Sequence, residues 1–342
     1  QGFWLSHSIP RFPPFPERGY GWPPTGKQNG QTALCVTYKY SQFTEIAEQL
    51  LYYNPRVYNC SLPEVFLPAV SNLSYICQGS KIPQLPRRRV WKLVSARGES
   101  FLNFAKSRYY VNGVILLDRQ TGVWLAHSTP KFPGKKRTSF WPENGIYFGQ
   151  AFLCVTYPYK LFSDIAKQLQ YIHIFSFDYD IPQTFPLDLQ CVAHRTCYPK
   201  KAPWDRKLEM TSLAGSTFVS FAKYAKYGDD LYSGLLVEPL GDDLLAKGWG
   251  RLHKPLPSNC SVKHNVYNVK SVKLPPIPPF NITSDHSKWC ATMGKKTGVW
   301  TCIADMNREI GQMRRGGGAV CTSNTAVWKA FIKMVDRYEK CP

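Results

Sequence analysis

A histidine and a lysine stand two residues apart in the segment His286-Ser287-Lys288. If this segment is extended, the period of two in a strand places His286 and Lys288 on one face and Ser287 on the other. A neutral imidazole can attack phosphorus, and an ammonium group beside it can hold the phosphate oxygens. The segment therefore predicts a site for phosphoryl chemistry, although a surface tripeptide without any role would have the same sequence.

A second histidine, His127, precedes a cation, Lys131, and Pro130 interrupts the strand between them. The same order recurs near the start of the chain, where His7 is followed by Arg11. Taken alone, His127 is typical of a strand-end histidine that bonds to the backbone. Because both copies keep an imidazole and a positive charge while their neighbours differ, we expect a functional site at His127 and a duplicate of it at His7.

Polar residues near the carboxyl end of the chain lie close to three consecutive glycines. Asn307 and Arg308 follow Asp305, and Arg315 stands directly before Gly316. A glycine-rich backbone beside arginines can approach a phosphate group closely. The alternative is a solvated, flexible loop, and the sequence leaves both interpretations open.

The sequence does not indicate a metal or cofactor site. We identify no histidine and carboxylate cluster with the spacing of a metal-dependent nuclease centre. The segment GKKT, which begins at Gly294, lacks the upstream glycine of a loop that binds nucleoside triphosphates. We therefore expect a hydrolase that uses neither a metal nor a cofactor.

The chain is strongly basic: its 342 residues include 43 Lys and Arg against 23 Asp and Glu, which gives a formal net charge of +20. A field of this sign attracts polyanions, so nucleic acid, anionic membrane surfaces and acidic glycans are the expected partners. The apolar content of 44% is that of a folded protein. No stretch approaches 18 uninterrupted apolar residues, so we expect no transmembrane span.

Eleven cysteines are spread along the chain without a C-x-x-C pair. This distribution favours a disulfide-bearing secretory protein over a zinc protein, and the odd number leaves at least one thiol free or paired outside the chain. Four N-glycosylation sequons agree with a secretory route; they begin at Asn59, Asn72, Asn259 and Asn281. The first methionine is Met210, from which we expect a processed chain or a fragment.

One part of the chain is duplicated. GFWLSHSIPRFP at residues 2–13 matches GVWLAHSTPKFP at residues 122–133 in eight of twelve positions. Residues 31–50 match residues 150–169 in 12 of 20 positions. Because the offset between the copies changes only from 120 to 119 residues, we interpret the pattern as a tandem duplication with small deletions.

The second copy reads as strand, strand and helix. Residues 114–128 predict a hairpin, since two apolar runs flank a polar turn, and His127 falls at the end of the second strand. Residues 153–157 are rich in β-branched and aromatic side chains, which predicts a further strand. The helix is predicted from apolar residues at helical spacing, namely Phe162, Ile165, Ala166 and Leu169.

The carboxyl-terminal part predicts two further features. Residues 275–280 (PPIPPF) are expected to form a rigid connector. A closing helix is expected with Asn324 as its N-cap. Its apolar positions are Val327, Phe331, Met334, Val335 and Tyr338.

Together these segments resemble the deoxyribonuclease II family. The stretches that carry the resemblance follow the family's order from Tyr110 to Cys341: GVILLDRQTGVWLAHSTPKFP, GQAFLCVTYPY, SFAKYAKYGDDLYSGLL, LPSNC, DHSKWC, WTCIADMNR, RGGGAVC and WKAFIKMV. The first 110 residues resemble the middle of the same family. Ala304 stands where the family pattern has glycine.

The resemblance implies an α/β fold of phospholipase-D-like α/β/α sandwich halves, with mixed β-sheets flanked by helices and one histidine from each half in a common cleft. In this interpretation, residues 1–110 are a truncated deoxyribonuclease-II-like repeat. Residues 111–228 form a second repeat that is the first-half module with His127. Residues 229–342 form the carboxyl-terminal module with His286.

The resemblance also implies metal-independent cleavage of double-stranded DNA at acid pH, without sequence preference, leaving 3′-phosphate and 5′-hydroxyl ends. The catalytic residues would be His127, His286 and Lys288. We expect His127 to attack phosphorus and His286 to protonate the leaving oxygen. The reverse assignment stays open, as does a partnership of His286 with His7.

Further contacts to phosphate or DNA are expected from Lys131, Asn307, Arg308 and Arg315, with Arg11 in the duplicate site. Two disulfides are implied by the resemblance, Cys260–Cys341 and Cys302–Cys321. The implied location is the lysosome or the extracellular space. The oligomeric state stays open between a monomer and a homodimer.

Two other functions remain compatible with the sequence. One is a catalytically inactive, DNA-binding secreted glycoprotein of the same family. The other keeps the phosphodiesterase chemistry but acts on RNA or phospholipid. Cleavage in the presence of EDTA separates the nuclease from the binding protein.

Overall fold

The computed structural model describes residues 3–7, 100–105, 112–130, 148–261, 263–274, 277–294 and 298–341. These residues form an α/β fold with one sheet of six strands and one of nine, so the expected α/β class is confirmed. Four residues with a predicted role lie outside the described residues: Arg11, Asn59, Asn72 and Lys131.

The first sheet consists of antiparallel strands. Their bounds are Phe3–His7 (β1), Ser100–Ala105 (β2), Asn112–Leu117 (β3), Thr121–His127 (β4), Ala151–Pro158 (β5) and Phe175–Asp180 (β6), and they lie in the order β1-β5-β4-β3-β2-β6. The predicted hairpin is confirmed as β3 and β4, and His127 ends β4. Asp118 closes its turn, because its carboxylate accepts the backbone N–H groups of Gln120 and Thr121 at 2.8 and 2.7 Å.

The second sheet is mixed. Its strands are Asp205–Thr211 (β7), Thr217–Lys223 (β8), Leu244–Lys247 (β9), Val266–Leu274 (β10), Ile277–Asn281 (β11), Trp289–Thr292 (β12), Thr301–Ala304 (β13), Gly317–Thr322 (β14) and Val335–Tyr338 (β15). The order is β11-β10-β9-β12-β13-β14-β8-β7, with β15 beside β10 and a parallel pair of β9 and β10. Both β7 and β8 precede residue 228, so the sheets do not divide at the expected module boundary.

Five α-helices occur in the described residues: Phe162–Ile172 (α1), Leu187–His194 (α2), Val237–Leu240 (α3), Ile310–Met313 (α4) and Thr325–Met334 (α5). A π-helix at Leu231–Leu236 leads into α3, and short 3-10 turns lie at Tyr159–Leu161, Ala225–Tyr227 and Ile282–Ser284. In the part of the chain that the structure describes, no helix is both long and apolar enough to cross a bilayer.

Helix α1 packs between the two sheets. The four residues that predicted this helix are fully buried: Phe162, Ile165, Ala166 and Leu169. Phe162 lies against Gly122 of β4, and Ile172 lies against Gly318 of β14. Burial of each large apolar side chain contributes roughly 1.5–3 kcal/mol, so this stripe holds the sheets together.

The closing helix is shorter than predicted. Helix α5 ends at Met334, whereas Val335 and Tyr338 belong to β15 and pair with β10. The prediction was wrong for these two residues because strand pairing with β10 overrides the apolar spacing of a helix. Ser271 of β10 reinforces the pairing by donating its hydroxyl to the Asp336 carboxylate at 2.6 Å.

The proline-rich connector also differs from its prediction. Ile277–Asn281 is strand β11 at one end of the second sheet, where it pairs with β10. Proline lacks an N–H group and is tolerated in a sheet at an edge strand. Pro278 and Pro279 therefore fit the position that the structure assigns to them.

Replacing Asn324 by alanine should lower the free energy of unfolding by about 1 kcal/mol. The Asn324 side chain accepts the backbone N–H groups of Ala326 and Val327 at 3.0 and 3.1 Å, which confirms the predicted N-cap. Urea denaturation of Asn324→Ala and Asn324→Ser measures the effect. Serine keeps an acceptor and should retain most of the stability, so equal losses in the two variants would contradict a capping role.

Three disulfides tie the described residues together. Cys260–Cys341 and Cys302–Cys321 are the two pairs that the resemblance implies, and the third is Cys191–Cys197. Cys302 and Cys321 face each other across β13 and β14. Two further cysteines, Cys154 and Cys290, are buried thiols.

The two copies of the duplicated histidine strand flank the same strand. Both β1 and β4 pair with β5 in antiparallel fashion, one on each side. Their registers differ by one residue, because the Cα of His7 lies opposite Ala151 and that of His127 lies opposite Phe152. Positions along a strand alternate between the faces of a sheet, so the two histidine positions are not equivalent in the sheet.

Candidate active site

One short backbone segment, residues 148–152, connects the surroundings of the two histidines. The carbonyl of Gly149 accepts the N–H of His286 at 2.8 Å, and the N–H of Gly149 donates to Ser284 at 3.0 Å. Two residues further on, the carbonyl of Ala151 accepts the N–H of Ser128, which follows His127. The structure therefore attaches the two histidine segments, which are far apart in sequence, to the same five residues.

The imidazole of His286 lies in an aromatic pocket. The Phe148 ring stacks on it with centroids 4.3 Å apart, and the Trp249 ring meets it at a steep angle with centroids 4.2 Å apart. Only 6% of His286 is exposed. Its Nε2 atom is buried and has no hydrogen-bond partner among the described residues, so it is available to a bound molecule.

Two buried lysines hold the backbone on both sides of this imidazole. The Lys247 ammonium donates to the carbonyls of Asp285 and Ser287 at 2.6 and 2.9 Å. It also forms an ion pair with the Asp285 carboxylate at 3.0 Å, and both side chains are fully buried. The Lys288 ammonium donates to the carbonyl of His286 at 2.7 Å. Three consecutive carbonyls are thus bonded to ammonium groups, which fixes the conformation of this segment.

The segment His286–Lys288 is buried rather than exposed, so the alternative of a surface tripeptide is excluded. It lies directly before β12 and follows a bridge between Asp285 and Gly149. Ser287 is fully buried and its N–H donates to the Asp285 carboxylate at 2.8 Å.

His127 is also buried, with 2% of its surface exposed. Its ring stacks on Phe152 with centroids 5.8 Å apart. A cavity of about 30 Å³, enough for one or two water molecules, reaches His127 between the two sheets. Asp305, directly after β13, and Gly318 of β14 also line this cavity.

Burial keeps both imidazoles in the neutral form. Desolvation lowers the pKa of His127 to about 3, against a weaker opposing effect of a hydrogen bond with the Thr129 backbone. Desolvation also lowers the pKa of His286 to about 3, and the positive charges of Lys288, Lys247 and Arg251 add to this effect. A neutral imidazole is the form that can act as a nucleophile or a base.

The same environment lowers the pKa of both buried lysines, which makes their ammonium groups easier to deprotonate. Desolvation and the neighbouring charge of Lys247 together lower the pKa of Lys288 to about 7. The pKa of Lys247 is lowered to about 8 by desolvation, although Asp285 opposes the shift. A phosphate bound nearby would favour the charged form of both ammonium groups.

The folded protein should lose stability as the pH falls from about 6.5 to about 3. Within this range the histidines of the unfolded chain take up protons while His127 and His286 of the folded chain do not. Each can therefore cost up to about 1.4 kcal/mol per pH unit. Urea denaturation between pH 7 and pH 4 measures the slope. His286→Gln should flatten it relative to the exposed-site control His253→Gln, and equal slopes would contradict a buried neutral imidazole.

Asn307 lies beside the aromatic pocket. Its side-chain oxygen accepts the backbone N–H of Trp249 at 2.9 Å. The backbone N–H of Asn307 donates to the side-chain oxygen of Gln312 at 2.8 Å. Only 1% of Asn307 is exposed, and its Nδ2 atom has no hydrogen-bond partner among the described residues. The structure therefore joins Asn307 to the backbone of Trp249, whose ring contacts His286.

The two arginines with predicted phosphate contacts occupy different environments. Arg308 is 6% exposed, and it forms an ion pair with Asp230 at 3.1 Å and a hydrogen bond with the Pro257 carbonyl at 2.8 Å. These contacts stabilise the fold rather than present the guanidinium to DNA. Arg315 is exposed, and its carbonyl accepts a hydrogen bond from the Lys223 ammonium at 2.8 Å, which anchors the turn before β14.

Several residues of the site were not anticipated from the sequence: Phe148, Lys247, Trp249, Arg251 and Asp285. Lys247, Trp249 and Arg251 form a compact run of two cations and an aromatic residue at the end of β9. That run is the one signal in the sequence that could have identified Lys247, Trp249 and Arg251 as site residues. In the described ranges, histidine, cysteine and carboxylate side chains form no group of three or more that could hold a metal ion.

Comparison with known proteins identifies relatives for the whole chain. The family model for deoxyribonuclease II matches residues 1–112 and 109–341. Deoxyribonuclease-2-alpha of Rattus norvegicus is 40% identical over 243 residues, which covers 69% of this chain and 69% of that protein. Plancitoxin-1 of Acanthaster planci is 41% identical over 240 residues, with coverages of 68% and 65%. Deoxyribonuclease-2-beta of Homo sapiens is 29% identical over 341 residues, with coverages of 100% and 62%. The chain therefore spans about two thirds of the length of these relatives.

Proposed function

The chain belongs to the deoxyribonuclease II family, and we propose that it is an endodeoxyribonuclease that hydrolyses DNA phosphodiesters at acid pH without a metal ion. The observation that carries this proposal is the attachment of two buried, neutral histidines, His127 and His286, to residues 148–152. Two imidazoles that reach the same phosphodiester can provide a nucleophile and a general acid.

In the first step, a nitrogen of one imidazole attacks the phosphorus atom. The bond between phosphorus and the 5′-oxygen breaks, and that oxygen takes a proton from the second imidazole, which has to be protonated. The products are a 5′-hydroxyl end and a phosphohistidine that carries the other strand through its 3′-oxygen.

In the second step, a water molecule gives a proton to the second imidazole, which is now neutral, and its oxygen attacks phosphorus. The bond between phosphorus and the histidine nitrogen breaks. A 3′-phosphate end leaves, the first imidazole is neutral again and the second is protonated, so the cycle is complete.

The charges around the two rings favour His286 as the nucleophile. Lys288, Lys247 and Arg251 all disfavour its protonated form. The pKa of His127 is lowered by burial, which a bound phosphate can offset because it favours the imidazolium. We therefore assign the general acid to His127, the reverse of the assignment expected from the resemblance.

An acid optimum follows from this division of roles. The general acid has to take up a proton before the first step, and burial lowers the pKa at which it does so. Lowering the pH raises the protonated fraction. The ammonium of Lys288 and the amide of Asn307 would stabilise the charge on the transferred phosphoryl group.

The arrangement of the sheets supports the phospholipase-D-like interpretation of the fold. His127 ends a strand of the first sheet, and His286 directly precedes β12 of the second. Each sheet is thus associated with one histidine, although the sheets differ in size and do not divide at residue 228. The exposed Arg251 and Arg315 are suited to contact the DNA backbone without reading its sequence.

A lysosomal or secreted location fits the covalent chemistry of the chain. Three disulfides indicate an oxidising compartment. Of the two sequons in the described residues, Asn281 is exposed and Asn259 is partly exposed, so both can carry a glycan.

The test is cleavage of supercoiled plasmid by the 342-residue chain in EDTA at about pH 5 and at about pH 7.5. We expect cleavage at the lower pH, with 5′-hydroxyl ends that polynucleotide kinase labels without prior phosphatase treatment. A requirement for Mg²⁺, or 5′-phosphate ends, would contradict the mechanism. Salt-sensitive DNA binding without cleavage would favour the inactive glycoprotein, and faster cleavage of RNA would change the substrate class.

A further inference from the structure

Three polar atoms around the catalytic imidazole are buried and have no hydrogen-bond partner among the described residues. They are Nε2 of His286, Nε1 of Trp249 and Nδ2 of Asn307. A buried polar group without a partner costs about 1–3 kcal/mol, and such groups are rare in folded proteins. Their occurrence on three residues that are linked by direct contacts indicates a place that is built to receive a hydrogen-bonding molecule.

Two contacts link the three residues. The Trp249 and His286 rings have centroids 4.2 Å apart, and the backbone N–H of Trp249 donates to the Asn307 oxygen at 2.9 Å. This bond identifies the oxygen of the amide, so the remaining Asn307 atom is the NH₂ group. The Phe148 ring stacks on His286 and also meets Trp249 edge-on with centroids 6.2 Å apart, which restrains the indole.

The chemistry of these atoms selects the molecule that fits. An indole N–H and an amide NH₂ only donate hydrogen bonds, so their partner has to offer acceptor oxygens. Three neighbouring cations also act on the His286 ring, and they favour a bound group with a negative charge: Lys247, Lys288 and Arg251. A phosphodiester offers two non-bridging oxygens that accept hydrogen bonds and carry that charge.

We propose that the indole N–H of Trp249 is a catalytic hydrogen-bond donor, which binds a non-bridging oxygen of the scissile phosphate next to the amide of Asn307. The inference rests on the proposed phosphodiesterase function and names the groups that hold its substrate. Negative charge on these oxygens is shared with the donors during phosphoryl transfer, so a donor fixed in a water-poor pocket accelerates the step.

The variant Trp249→Phe tests the role of the N–H group, because it keeps an aromatic ring against His286. We expect kcat for plasmid cleavage to fall about 10²-fold with little change in KM, since one donor of this kind contributes about that factor. The matched control is Trp289→Phe. Its indole Nε1 is also buried without a partner among the described residues, but its ring packs on Phe331 of α5 with centroids 5.1 Å apart. Equal activity of Trp249→Phe and the unchanged chain would overturn the proposal.

A binding measurement separates this proposal from the proposed function. In the unchanged chain with ¹⁵N-labelled tryptophan, inorganic phosphate should shift the indole resonance that is missing in Trp249→Phe, and it should leave that of Trp289 in place. A chain that cleaves DNA without this shift would overturn the role of Trp249. A shift in a chain that cleaves no DNA would retain the phosphate site and reject the nuclease function.

Discussion

Replacing His286 by alanine is expected to lower the rate of plasmid cleavage at about pH 5 in EDTA by at least about 10³-fold, and His127→Ala should have a similar effect. The first variant removes a ring whose Nε2 atom has no hydrogen-bond partner among the described residues, and the second removes the histidine whose strand is bonded to the same segment, residues 148–152. Because the two rings act in one reaction, the double variant should be hardly slower than the slower single variant. Initial rates of nicking measure all three.

The control for these variants is His253→Ala, which removes an exposed histidine from the same half of the chain and should leave the rate unchanged. Thermal unfolding of each variant checks that the fold is kept. Cleavage that survives in His127→Ala would contradict the proposed pair and would point to His7 as the partner of His286.

Trapping the covalent intermediate decides which histidine is the nucleophile. A rapid reaction with DNA is quenched in alkali, which preserves phosphohistidine, and the modified peptide is identified by mass spectrometry. Modification of His286 is the expected result, because the surrounding cations keep this ring neutral. Modification of His127 would restore the assignment implied by the resemblance.

Replacing Lys247 by methionine is expected to lower the free energy of unfolding by about 3–5 kcal/mol. The substitution removes the ammonium group from the fully buried carboxylate of Asp285 and from the carbonyls on either side of His286. Leaving a buried carboxylate without its cation costs far more free energy than the intact ion pair contributes to stability. Urea denaturation at pH 7 gives the difference.

The matched control for this variant is Lys167→Met. The Lys167 ammonium lies 3.8 Å from the Asp164 carboxylate, but these side chains are 45% and 42% exposed. An exposed ion pair contributes about 0–1 kcal/mol, so this variant should remain close to the unchanged chain. Similar losses in both lysine variants would contradict the importance of burial. The double variant Lys247→Met, Asp285→Leu should recover much of the stability.

The sequence predicts local structure well where the pattern and the packing agree. The apolar spacing of α1 is complete, and all four of its predicted positions are buried against the sheets. The turn at Asp118 and the cap at Asn324 were predictable because the side chain bonds to a backbone N–H within three residues. Such interactions depend on neighbours in the chain and not on the fold.

The environment of the candidate site was only partly predictable. His286 and Lys288 could be recognised from their spacing, but the contacts with Phe148 and Lys247 join residues more than 35 positions apart. Nothing near Lys247 in the sequence indicates that its ammonium will lie between two carbonyls of another segment. A phosphate contact was expected of Arg308 because it is a cation, but its guanidinium is paired with Asp230. That partner lies 78 residues away, so the pair could not be predicted from the sequence near Arg308.

The closing segment shows the opposite error. Val335 and Tyr338 continue the helical spacing of α5, yet the chain leaves the helix at Met334 to pair with β10. Val335 pairs with Val272, 63 residues earlier in the chain, and Tyr338 pairs with Val269, 69 residues earlier, so local periodicity could not reveal the pairing. Helix propensity is a weak preference that tertiary pairing overrides.

The position of β1 gives the duplicated segment a role that does not involve chemistry. Without β1, the side of β5 that faces away from β4 would be an open sheet edge, and β5 is an apolar strand that is buried along almost its whole length. Open apolar edges recruit strands from other molecules and lead to aggregation. Five residue pairs with β1 occupy this edge. The extra copy thereby protects the sheet from self-association. It does not reproduce the position of His127, because its register differs by one residue from that of β4.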